Sequence, residues 1–389
     1  MARNKRIRVG VLFGGRSSEH EISLRSALTV MSAMDPKRYE VVPIGIGRDG
    51  RWYLEHDAVK VLAEKTPHLA ALTAGGTQVN LLPHPDSDRS LVPAIANQNH
   101  NPVTFATDAI RAPLDVVFLV LHGTYGEDGT VQGLLELAGI PYVGAGVLGS
   151  ALGMDKDAQK RLLRDAGVPV VRYFAIDRAD FREHPALAAR YARKLGFPVF
   201  VKPNALGSSI GISKVKRVQD LKAALDDAFQ YDLKALIEAS CAGRELECAV
   251  VGNDRPEASI PGEIIVKGGH DFYSYESKYV DPDGAETRIP ADLPRAAANK
   301  LRAMAIAAFK ALSLRGMARV DFLATRNLKE IYVNEVNTIP GFTAISMYPK
   351  LWEASGIPLP KLIDRLIDFA LEQNRERASL KITYHPRQQ

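Results

Sequence analysis

The chain has 389 residues, of which 46% are hydrophobic and 24% are charged. This composition is globular, and the length predicts two or three domains with large cores. The net charge of +5 is small for this length and comes without a Lys/Arg run dense enough to favour DNA, although it would suit a small anionic substrate. The two cysteines, Cys241 and Cys248, provide neither a disulfide framework nor a zinc spacing, which favours a reducing compartment.

The first residues, MARNKRIRVGVLFGG, are basic and then apolar. A signal peptide needs a longer apolar region and a small-residue cleavage site, whereas Val9 to Phe13 has the length of a strand. No apolar stretch of the sequence is long enough to cross a bilayer. We therefore expect a soluble, cytoplasmic protein without membrane or nucleic-acid partners.

The first part of the chain alternates strands with helical patterns, as a parallel α/β sheet does. The predicted elements are, in order, strand IRVGVLFGG, a helix over 21–34, strands YEVVPIGI and LDVVFLVLHG, helix TVQGLLELAG and strand IPYVGAG. Residues 56–112 are harder to interpret. Their later part, rich in Pro, Asn and Asp, predicts an exposed loop.

A second unit begins near Gly146 with a helix over 155–166 that stops at Gly167. FPVFVKPNALGSSIGISKV then predicts strand, glycine-rich turn, strand, and LKALIEASCAGRELECAVV predicts strand, loop, strand. The last unit contains a helix over 295–312, the strands GMARVDFLAT and EIYVNEVNT, and an amphipathic helix near the C-terminus.

Oxygen-bearing side chains alternate along the last two strands. Glu335 and Asn337 share one face, and Arg319 and Asp321 share a face of the preceding strand. If the two strands pair as a hairpin, three oxygen donors and an arginine meet on one surface. Such a surface suits Mg²⁺, which completes its octahedron with water and phosphate oxygens. A solvated strand face is the alternative.

Two lysines could meet phosphate groups. Lys202 ends an apolar strand and precedes small residues through Gly211, so free backbone N–H groups and a point charge could surround a phosphate. The stretch is not a Walker loop, because it leads into a strand, and an ordinary hairpin is the alternative. Lys156 starts a helix, where a cation is unfavourable unless it faces an anion. It could equally be a solvated lysine.

Other candidates lie where buried strands end, at the sheet edge at which α/β proteins bind ligands. Glu19 follows the first Gly-Gly turn and could hold an ammonium group there, whereas Ser18 with Glu21 fits a purely structural capping box. His122 lies on a glycine-rich loop with Glu127, as a catalytic or a structural residue. The stretch HDFYSYESKYVDPDGAETRIP is polar, aromatic and without helical period, which is typical of a lid.

Together these segments resemble the D-alanine–D-alanine ligases of the ATP-grasp superfamily. The matching stretches appear in the family's order and cover most of the chain outside 56–112: GGRSSEHEISL, LHGTYGEDGTVQGLLELAGIPYVG, MDKDAQK, VKPNALGSSIGISKV, YESKY, GMARVDF and NEVNTIPGFTAISMYP. The resemblance implies a mixed α/β ATP-grasp fold with a parallel α/β N-terminal domain. Its expected domains are 1–144, 145–242 and 243–389, the last with the metal site and the lid.

The family's chemistry begins with phosphoryl transfer from ATP to one D-alanine carboxylate. The amine of a second D-alanine then attacks the acyl phosphate, giving the dipeptide for peptidoglycan precursors, ADP and phosphate. The resemblance therefore implies ATP and two Mg²⁺ or Mn²⁺ ions, because phosphoryl transfer relies on positioning and charge stabilisation. It also implies a cytoplasmic homodimer.

The resemblance also carries over residue roles. The expected metal ligands are Asp321, Glu335 and Asn337. The expected nucleotide contacts are Lys156, Lys202, Ser209, Glu238, Glu245 and, on the lid, Lys278. The expected catalytic groups are Glu19, His122, Ser208, Tyr279, Arg319 and Gly341, with Glu19, Ser208 and Tyr279 in one hydrogen-bonded chain and Arg319 and the Gly341 backbone supporting the oxyanion. Glu19 would also bind the first D-alanine's ammonium, and Ser346 with the Met347 backbone the second carboxylate.

The sequence departs from the family pattern in two places. The segment 56–112 is longer than in compact members, and ASCAG at 239–243 is smaller and less aromatic than some adenine-side linkers. By analogy, Tyr279 favours the dipeptide over D-alanyl-D-lactate. The rival hypotheses are another ATP-grasp enzyme, such as a carboxylase or a different amino-acid ligase, and a nucleotide-binding regulator that has lost catalysis.

Overall fold

The structure, a computed structural model, describes residues 5–54, 77–83, 89–94, 112–267 and 284–381. Helices pack on three β-sheets in this part of the chain. The strands of each sheet are consecutive in the sequence, so each sheet corresponds to one stretch of chain.

The first sheet has seven strands in the order β5-β4-β3-β2-β1-β6-β7. Its elements are β1 (Ile7–Gly14), α1 (His20–Ala33), β2 (Tyr39–Ile46), β3 (Trp52–Leu54), β4 (Thr77–Leu81), β5 (Leu91–Pro93), β6 (Val116–Leu119), α2 (Thr130–Leu137) and β7 (Tyr142–Val143). The strands β2, β1, β6 and β7 are parallel, which confirms the predicted parallel α/β unit. The chain order reverses between β1 and β6, so ligand-binding groups are expected at their carboxyl ends.

Two expectations for this region are wrong. Part of the predicted exposed loop is β5, which pairs antiparallel with β4 and buries Leu91. Strands of three residues are too short to show alternation in the sequence. Helix α1 begins at His20 without a side-chain cap, and Glu21 instead pairs with Arg48, so the predicted capping box does not form.

The second sheet is antiparallel in the order β10-β9-β11-β8. It follows α3 (Val147–Met154) and α4 (Lys156–Asp165), and its elements are β8 (Tyr173–Asp177), α5 (Arg178–Glu183), α6 (Pro185–Leu195), β9 (Val199–Pro203), β10 (Ser213–Val215), α7 (Leu221–Tyr231) and β11 (Lys234–Ala239). Buried apolar residues of α6 and α7 form a core with this sheet. The predicted strand, glycine-rich turn and strand are confirmed.

The third sheet has the order β15-β14-β12-β16-β17, with β13 paired to β12. Its elements are β12 (Gly243–Gly252), β13 (Glu257–Ala258), β14 (Gly262–Val266), β15 (Ala285–Arg288), α8 (Arg295–Ala311), β16 (Gly316–Thr325) and β17 (Ile331–Asn337). The predicted apolar stripe of α8 is buried against this sheet. The final helices are α9 (Met347–Ala354) and α10 (Leu359–Ala378).

The C-terminal helix α10 packs on the first sheet rather than on the third alone. The Tyr39 hydroxyl donates to Asp364 Oδ1 at 2.6 Å, and Arg38 pairs with Asp368 at 2.6 Å. Buried leucines and isoleucines of α10 belong to the same core as β1 and β6. These contacts connect the two ends of the chain.

The predicted lid lies largely outside the described residues, at 268–283, with Lys278 and Tyr279 in that range. Its C-terminal part is strand β15 rather than loop, because Ala285–Arg288 pairs with β14. In the described part of the chain, no helix has the length and apolar character needed to cross a membrane.

Candidate active site

The hairpin of β16 and β17 assembles the predicted oxygen-donor surface. Asp321 lies opposite Glu335, and Arg319 lies opposite Asn337. The Arg319 guanidinium donates two hydrogen bonds of 2.7 Å to the Asp321 carboxylate, and Asn337 Nδ2 donates a third of 2.9 Å. The expectation that these four side chains share one surface is confirmed.

A β-bulge in β17 changes which side chains reach the site. Phe322 pairs with Val333 and Asp321 with Glu335, so Asn334 is an extra residue with no opposite partner in β16. The bulge turns Asn334 and Glu335 towards the same cavity. Strict alternation, as read from the sequence, places Asn334 on the opposite face.

A large cavity of about 540 Å³ lies between the second and third sheets. Every described residue that the sequence assigns to nucleotide binding lines this cavity, together with two of the three expected metal ligands. They are Lys156, Lys202, Ser209, Glu238, Glu245, Asp321 and Glu335. The structure therefore brings these residues together around one cavity, and their roles stay predictions.

A small cavity of about 120 Å³ lies where the first and third sheets meet. The described residues assigned to catalysis and amino-acid binding line it, namely Glu19, His122, Ser208, Arg319, Gly341, Ser346 and Met347, and so do two of the expected metal ligands, Glu335 and Asn337. Three residues, Gly207, Glu247 and Glu335, line both cavities. A group bound in one cavity can therefore meet a group bound in the other at this junction.

The turn between β9 and β10 contributes to both cavities. Ser208 and Ser209 adopt left-handed backbone angles, with φ of 51° and 58°. This conformation directs Ser208 into the small cavity, where its hydroxyl donates to the Glu19 carboxylate, and Ser209 into the large one. Two members of the expected Glu19, Ser208 and Tyr279 chain are thus in contact.

Lys156 is buried at the start of α4, so its interpretation as a solvated lysine is wrong. Asp155 caps the helix by accepting a hydrogen bond from the Ala158 N–H at 2.8 Å. The Lys156 ammonium donates to the Leu206 carbonyl oxygen at 2.6 Å and lies 3.7 Å from Glu335. Lys156 therefore links the turn between β9 and β10 to the β16–β17 hairpin.

At the wall of the large cavity, Lys202 shares the Glu238 carboxylate with Lys160, which lies behind the wall. Lys160 Nζ is 3.0 Å from Glu238 Oε1, and Lys202 Nζ is 2.8 Å from Glu238 Oε2. Burial opposes the charge of Glu238, but the two ammonium groups outweigh it and lower its pKa to about 2. Burial also lowers the pKa of Lys160, whereas Glu238 and Glu335 outweigh burial at Lys202 and raise its pKa.

Sequence reasoning missed Lys160 and Glu247. Lys160 follows Lys156 by one helical turn, and this i, i+4 spacing was the available signal. Glu247 follows Glu245 by two residues on β12, so strand alternation puts it on the same face. It lies opposite Asp321, with its carboxylate 3.1 Å from Arg319 Nε.

Glu127 and His122 connect the first sheet to the segment after β17. Glu127 accepts hydrogen bonds from the Gly123 N–H at 2.7 Å and the Ile339 N–H at 3.3 Å. His122 Nδ1 lies 3.2 Å from the Ile339 carbonyl oxygen. Burial, followed by the nearby Glu19 carboxylate, raises the pKa of Glu127 to about 8, and burial lowers that of His122.

The segment after β17 closes the small cavity at Gly341. A Cβ atom at Gly341 would lie 2.8 Å from Ser346 Oγ, so the close approach requires glycine. Ser346 Oγ accepts from the Thr343 N–H at 3.0 Å and precedes α9. The Phe342 N–H donates to Ser26 Oγ at 3.2 Å, which fixes the segment against α1.

The donor set on the hairpin fits a divalent cation that takes part of its coordination from a ligand. Asp321 and Glu335 supply carboxylate oxygens and Asn337 an amide oxygen, which are hard ligands of the kind Mg²⁺ prefers. Across the described ranges, no group of three or more His, Cys, Asp or Glu side chains is placed to hold a metal ion, so the two carboxylates and one amide of the hairpin would need further ligands. Phosphate oxygens and water would complete such a site.

Comparisons with known proteins agree with this geometry. The family model "D-ala D-ala ligase N-terminus" matches residues 8–145, and "D-ala D-ala ligase C-terminus" matches residues 162–368. A D-alanine–D-alanine ligase A of Chromobacterium violaceum is 48% identical over 370 residues, covering 95% of this chain and 96% of the relative.

Two solved structures extend the likeness to the fold. The D-alanine–D-alanine ligase of Coxiella burnetii has a TM-score of 0.81 at 37% identity and covers 96% of both chains. The VanG D-Ala:D-Ser ligase of Enterococcus faecalis has a TM-score of 0.79 at 34% identity, covering 94% of this chain and 100% of the other. The predicted mixed α/β ATP-grasp fold is confirmed, and the chain belongs to the D-alanine–D-alanine ligase family.

Proposed function

We propose that this protein joins two D-alanine molecules at the expense of ATP and so supplies the dipeptide for peptidoglycan precursors. The observation that supports the proposal is the junction of the two cavities at Gly207, Glu247 and Glu335. The large cavity offers buried lysines for a triphosphate, and the small cavity offers groups for an amino acid. A phosphoryl group can pass between the two sites only where they touch.

In the first step, the D-alanine carboxylate attacks the γ-phosphorus of ATP. The new carboxylate O–P bond replaces the bond to ADP, giving an acyl phosphate and ADP. Lys156 and Lys202 would neutralise the phosphate oxygens, because both ammonium groups are held at the wall of the large cavity. Glu19 and Ser208 would hold the ammonium end of the first D-alanine in the small cavity.

In the second step, the ammonium group of the second D-alanine releases one proton to water, and the resulting amine attacks the acyl carbon; the second proton of the nitrogen leaves with the departing phosphate. The C–N bond forms, and phosphate leaves from the tetrahedral intermediate. Arg319 and the Gly341 backbone would stabilise its negative oxygen. The Ser346 hydroxyl and the Met347 backbone N–H would hold the second carboxylate, with His122 nearby.

Asp321, Glu335 and Asn337 would hold two Mg²⁺ or Mn²⁺ ions. Bound there, such ions neutralise charge on the phosphate oxygens during transfer. Lys278 and Tyr279 would approach from the lid segment, which lies outside the described residues.

We further propose domains at 1–144, 145–242 and 243–389, and a homodimer that works in the cytoplasm. The division is supported by the sheets, because β7 ends at Val143 and β12 begins at Gly243. The location is supported by ATP use and by the two cysteines, Cys241 and Cys248, both free thiols.

A second candidate is the ligation of D-alanine to D-serine. The likeness to a D-Ala:D-Ser ligase at 34% identity over nearly the whole chain favours including it. The two activities differ only in the second amino acid, so the same cavities and the same phosphoryl transfer serve both.

The test is phosphate release from ATP, with product analysis by mass spectrometry. We expect D-alanine alone to give dipeptide and phosphate in equal amounts, and L-alanine to give none. Parallel reactions with D-alanine plus D-serine, and with D-alanine plus D-lactate, measure which second substrate the enzyme prefers. Predominant D-alanyl-D-serine would favour the second candidate, and phosphate release without any dipeptide would contradict both.

A further inference from the structure

Four residues form a closed ring, with Lys202, Glu238 and Asn334 at the wall of the large cavity and Lys160 behind them. Lys160 and Lys202 each contact one oxygen of Glu238 and also bond to Asn334. Lys160 Nζ donates to the Asn334 carbonyl oxygen at 2.9 Å, and Lys202 Nζ donates to Asn334 Oδ1 at 3.1 Å. Asn334 is the bulged residue next to Glu335, so the ring joins strand β9, which carries Lys202, to the β16–β17 hairpin.

The two lysines of the ring differ in their access to the large cavity. Lys202 lines the large cavity, whereas the side chain of Lys160 has 0% exposure and does not line it. Lys160 therefore has no route to a bound nucleotide. A fully buried charge is costly and persists only with good partners, which Lys160 finds in Glu238 and Asn334.

The ring also has an unbalanced charge. Two ammonium groups face one carboxylate, which leaves a net charge of +1 beside the cavity. Lys202 divides its hydrogen bonds between Glu238 and Asn334, so its interaction with Glu238 depends on what else neutralises that carboxylate. With Lys160 on the other oxygen, Glu238 is already paired.

We propose that Lys160 is a positioning residue for phosphate binding: by neutralising Glu238 and holding the Asn334 bulge, it leaves the Lys202 charge available to the nucleotide phosphates. This inference rests on the proposed ATP-dependent function and assigns a role to a side chain that touches neither substrate. It also makes Glu238 a counter-ion of two lysines, since each of its oxygens forms an ion pair with one ammonium group, at 3.0 and 2.8 Å.

The test compares ADP and adenosine binding, measured by calorimetry, in the wild-type chain and in Lys160→Met. Methionine keeps the length of the side chain and removes its charge. Glu238 then has only Lys202 as a counter-ion, so the ring loses its excess charge. We expect the Kd for ADP to rise about tenfold or more and the Kd for adenosine to stay within about twofold.

Two further variants serve as controls. Arg164→Met removes an exposed cation from the same helix and should leave both Kd values unchanged. Lys160→Met with Glu238→Gln restores the net charge of +1 without an unpaired carboxylate. Because Glu238 is also an expected nucleotide contact, the readout is the ratio of the Kd for ADP to the Kd for adenosine, which should return to within about threefold of wild type. Thermal unfolding establishes that each variant is folded, and the double variant decides the question if Lys160→Met does not fold.

Several outcomes would overturn the proposal. Unchanged ADP binding in Lys160→Met would show that Lys202 does not depend on Lys160. Equal weakening of ADP and adenosine would show a general structural defect. A folded double variant whose ratio of Kd values, ADP to adenosine, stays about tenfold above wild type would contradict the charge argument, whether or not Lys160→Met can be purified. Failure of the wild-type chain to bind ADP would instead reject the proposed function.

Discussion

Arg319 lies on β16 with acidic side chains on two sides of its guanidinium. Asp321 accepts two of its hydrogen bonds, and Glu247 approaches its Nε from the neighbouring strand. Burial opposes the Arg319 charge, but these carboxylates outweigh it and raise the pKa, so the side chain stays cationic. A fixed cation at the rim of the small cavity can stabilise negative charge that develops on an oxygen only during the reaction.

Replacing Arg319 with alanine should lower kcat by about 100-fold or more, the scale of losing one oxyanion donor. The variant Arg315→Ala is the matched control, because Arg315 lies just before β16 and pairs with Asp254 and Glu376 away from the cavities. Steady-state kinetics on both folded variants measures the effect. Near-normal kcat in Arg319→Ala would reject the assigned role.

Glu127 should make stability depend on pH. Burial and Glu19 raise its pKa to about 8 from the ordinary 4.5, so the folded protein binds this proton more tightly than the unfolded chain. The stabilisation is complete below the ordinary pKa and is lost as the pH rises towards the folded value. Glu127→Gln, which cannot ionise, should therefore gain stability relative to wild type, by at most about 1.4 kcal/mol per pH unit in this window.

Thermal unfolding of both proteins between about pH 5 and about pH 9 measures this difference. Titrating groups remote from Glu127 are common to the two chains, so their effects cancel. A constant difference in Tm across the range would show that Glu127 is ionised in the fold.

At the level of single residues, the sequence predicted the positions of side chains better than the groups that they contact. Strand alternation and strand ends placed Asp321, Glu335 and His122 correctly. Lys160 was missed because its importance comes from Glu238, which lies 78 positions further along the sequence. A lysine on a helix has the same appearance in a sequence whether it meets water or a buried carboxylate.

The turn between β9 and β10 serves two cavities with two adjacent serines. Ser208 contacts Glu19 in the small cavity, and Ser209 lines the large one. Both have left-handed φ angles, of 51° and 58°, so an alanine costs a similar amount of backbone strain at either position. Each serine is therefore the other's matched control.

Ser208→Ala should raise the KM for D-alanine about tenfold, the scale of losing a hydrogen bond to a charged group, and leave the KM for ATP nearly unchanged. Ser209→Ala should do the reverse. Initial rates with each substrate varied in turn give the four constants. The same KM pattern in both variants would mean that the turn does not divide its contacts in this way.

At the level of elements, regular patterns were predictable and irregular ones were not. The β16–β17 hairpin and the α8 stripe follow from periods of two and 3.6 residues. The bulge at Asn334 adds one residue to a strand without changing its composition, so alternation alone cannot predict which way that side chain points. The strands β3 to β5 were missed because antiparallel pairing at a sheet edge depends on distant backbone groups.

At the level of the whole molecule, the described residues form one cavity between the first and third sheets and another between the second and third sheets. The first sheet brings Glu19 and His122 to the small cavity from its carboxyl edge, and the second brings Lys202 to the large one. The third sheet borders both, with Glu335 at the junction. Local sequence patterns indicated three units but placed the strand that begins at Gly243 in the second unit, whereas the structure places it, as β12, in the third sheet. The meeting point of the sheets and the packing of α10 on the first sheet depend on contacts across the whole chain.

The central claim is that a phosphoryl group crosses this junction to a carboxylate. It is tested most directly by reacting ATP with D-alanine labelled with ¹⁸O in both carboxylate oxygens and analysing the released phosphate by mass spectrometry. The account predicts that each phosphate formed with a dipeptide carries one ¹⁸O atom from the acyl phosphate. Dipeptide formation with unlabelled phosphate would contradict the account, because the carboxylate would then have been activated without accepting the phosphoryl group.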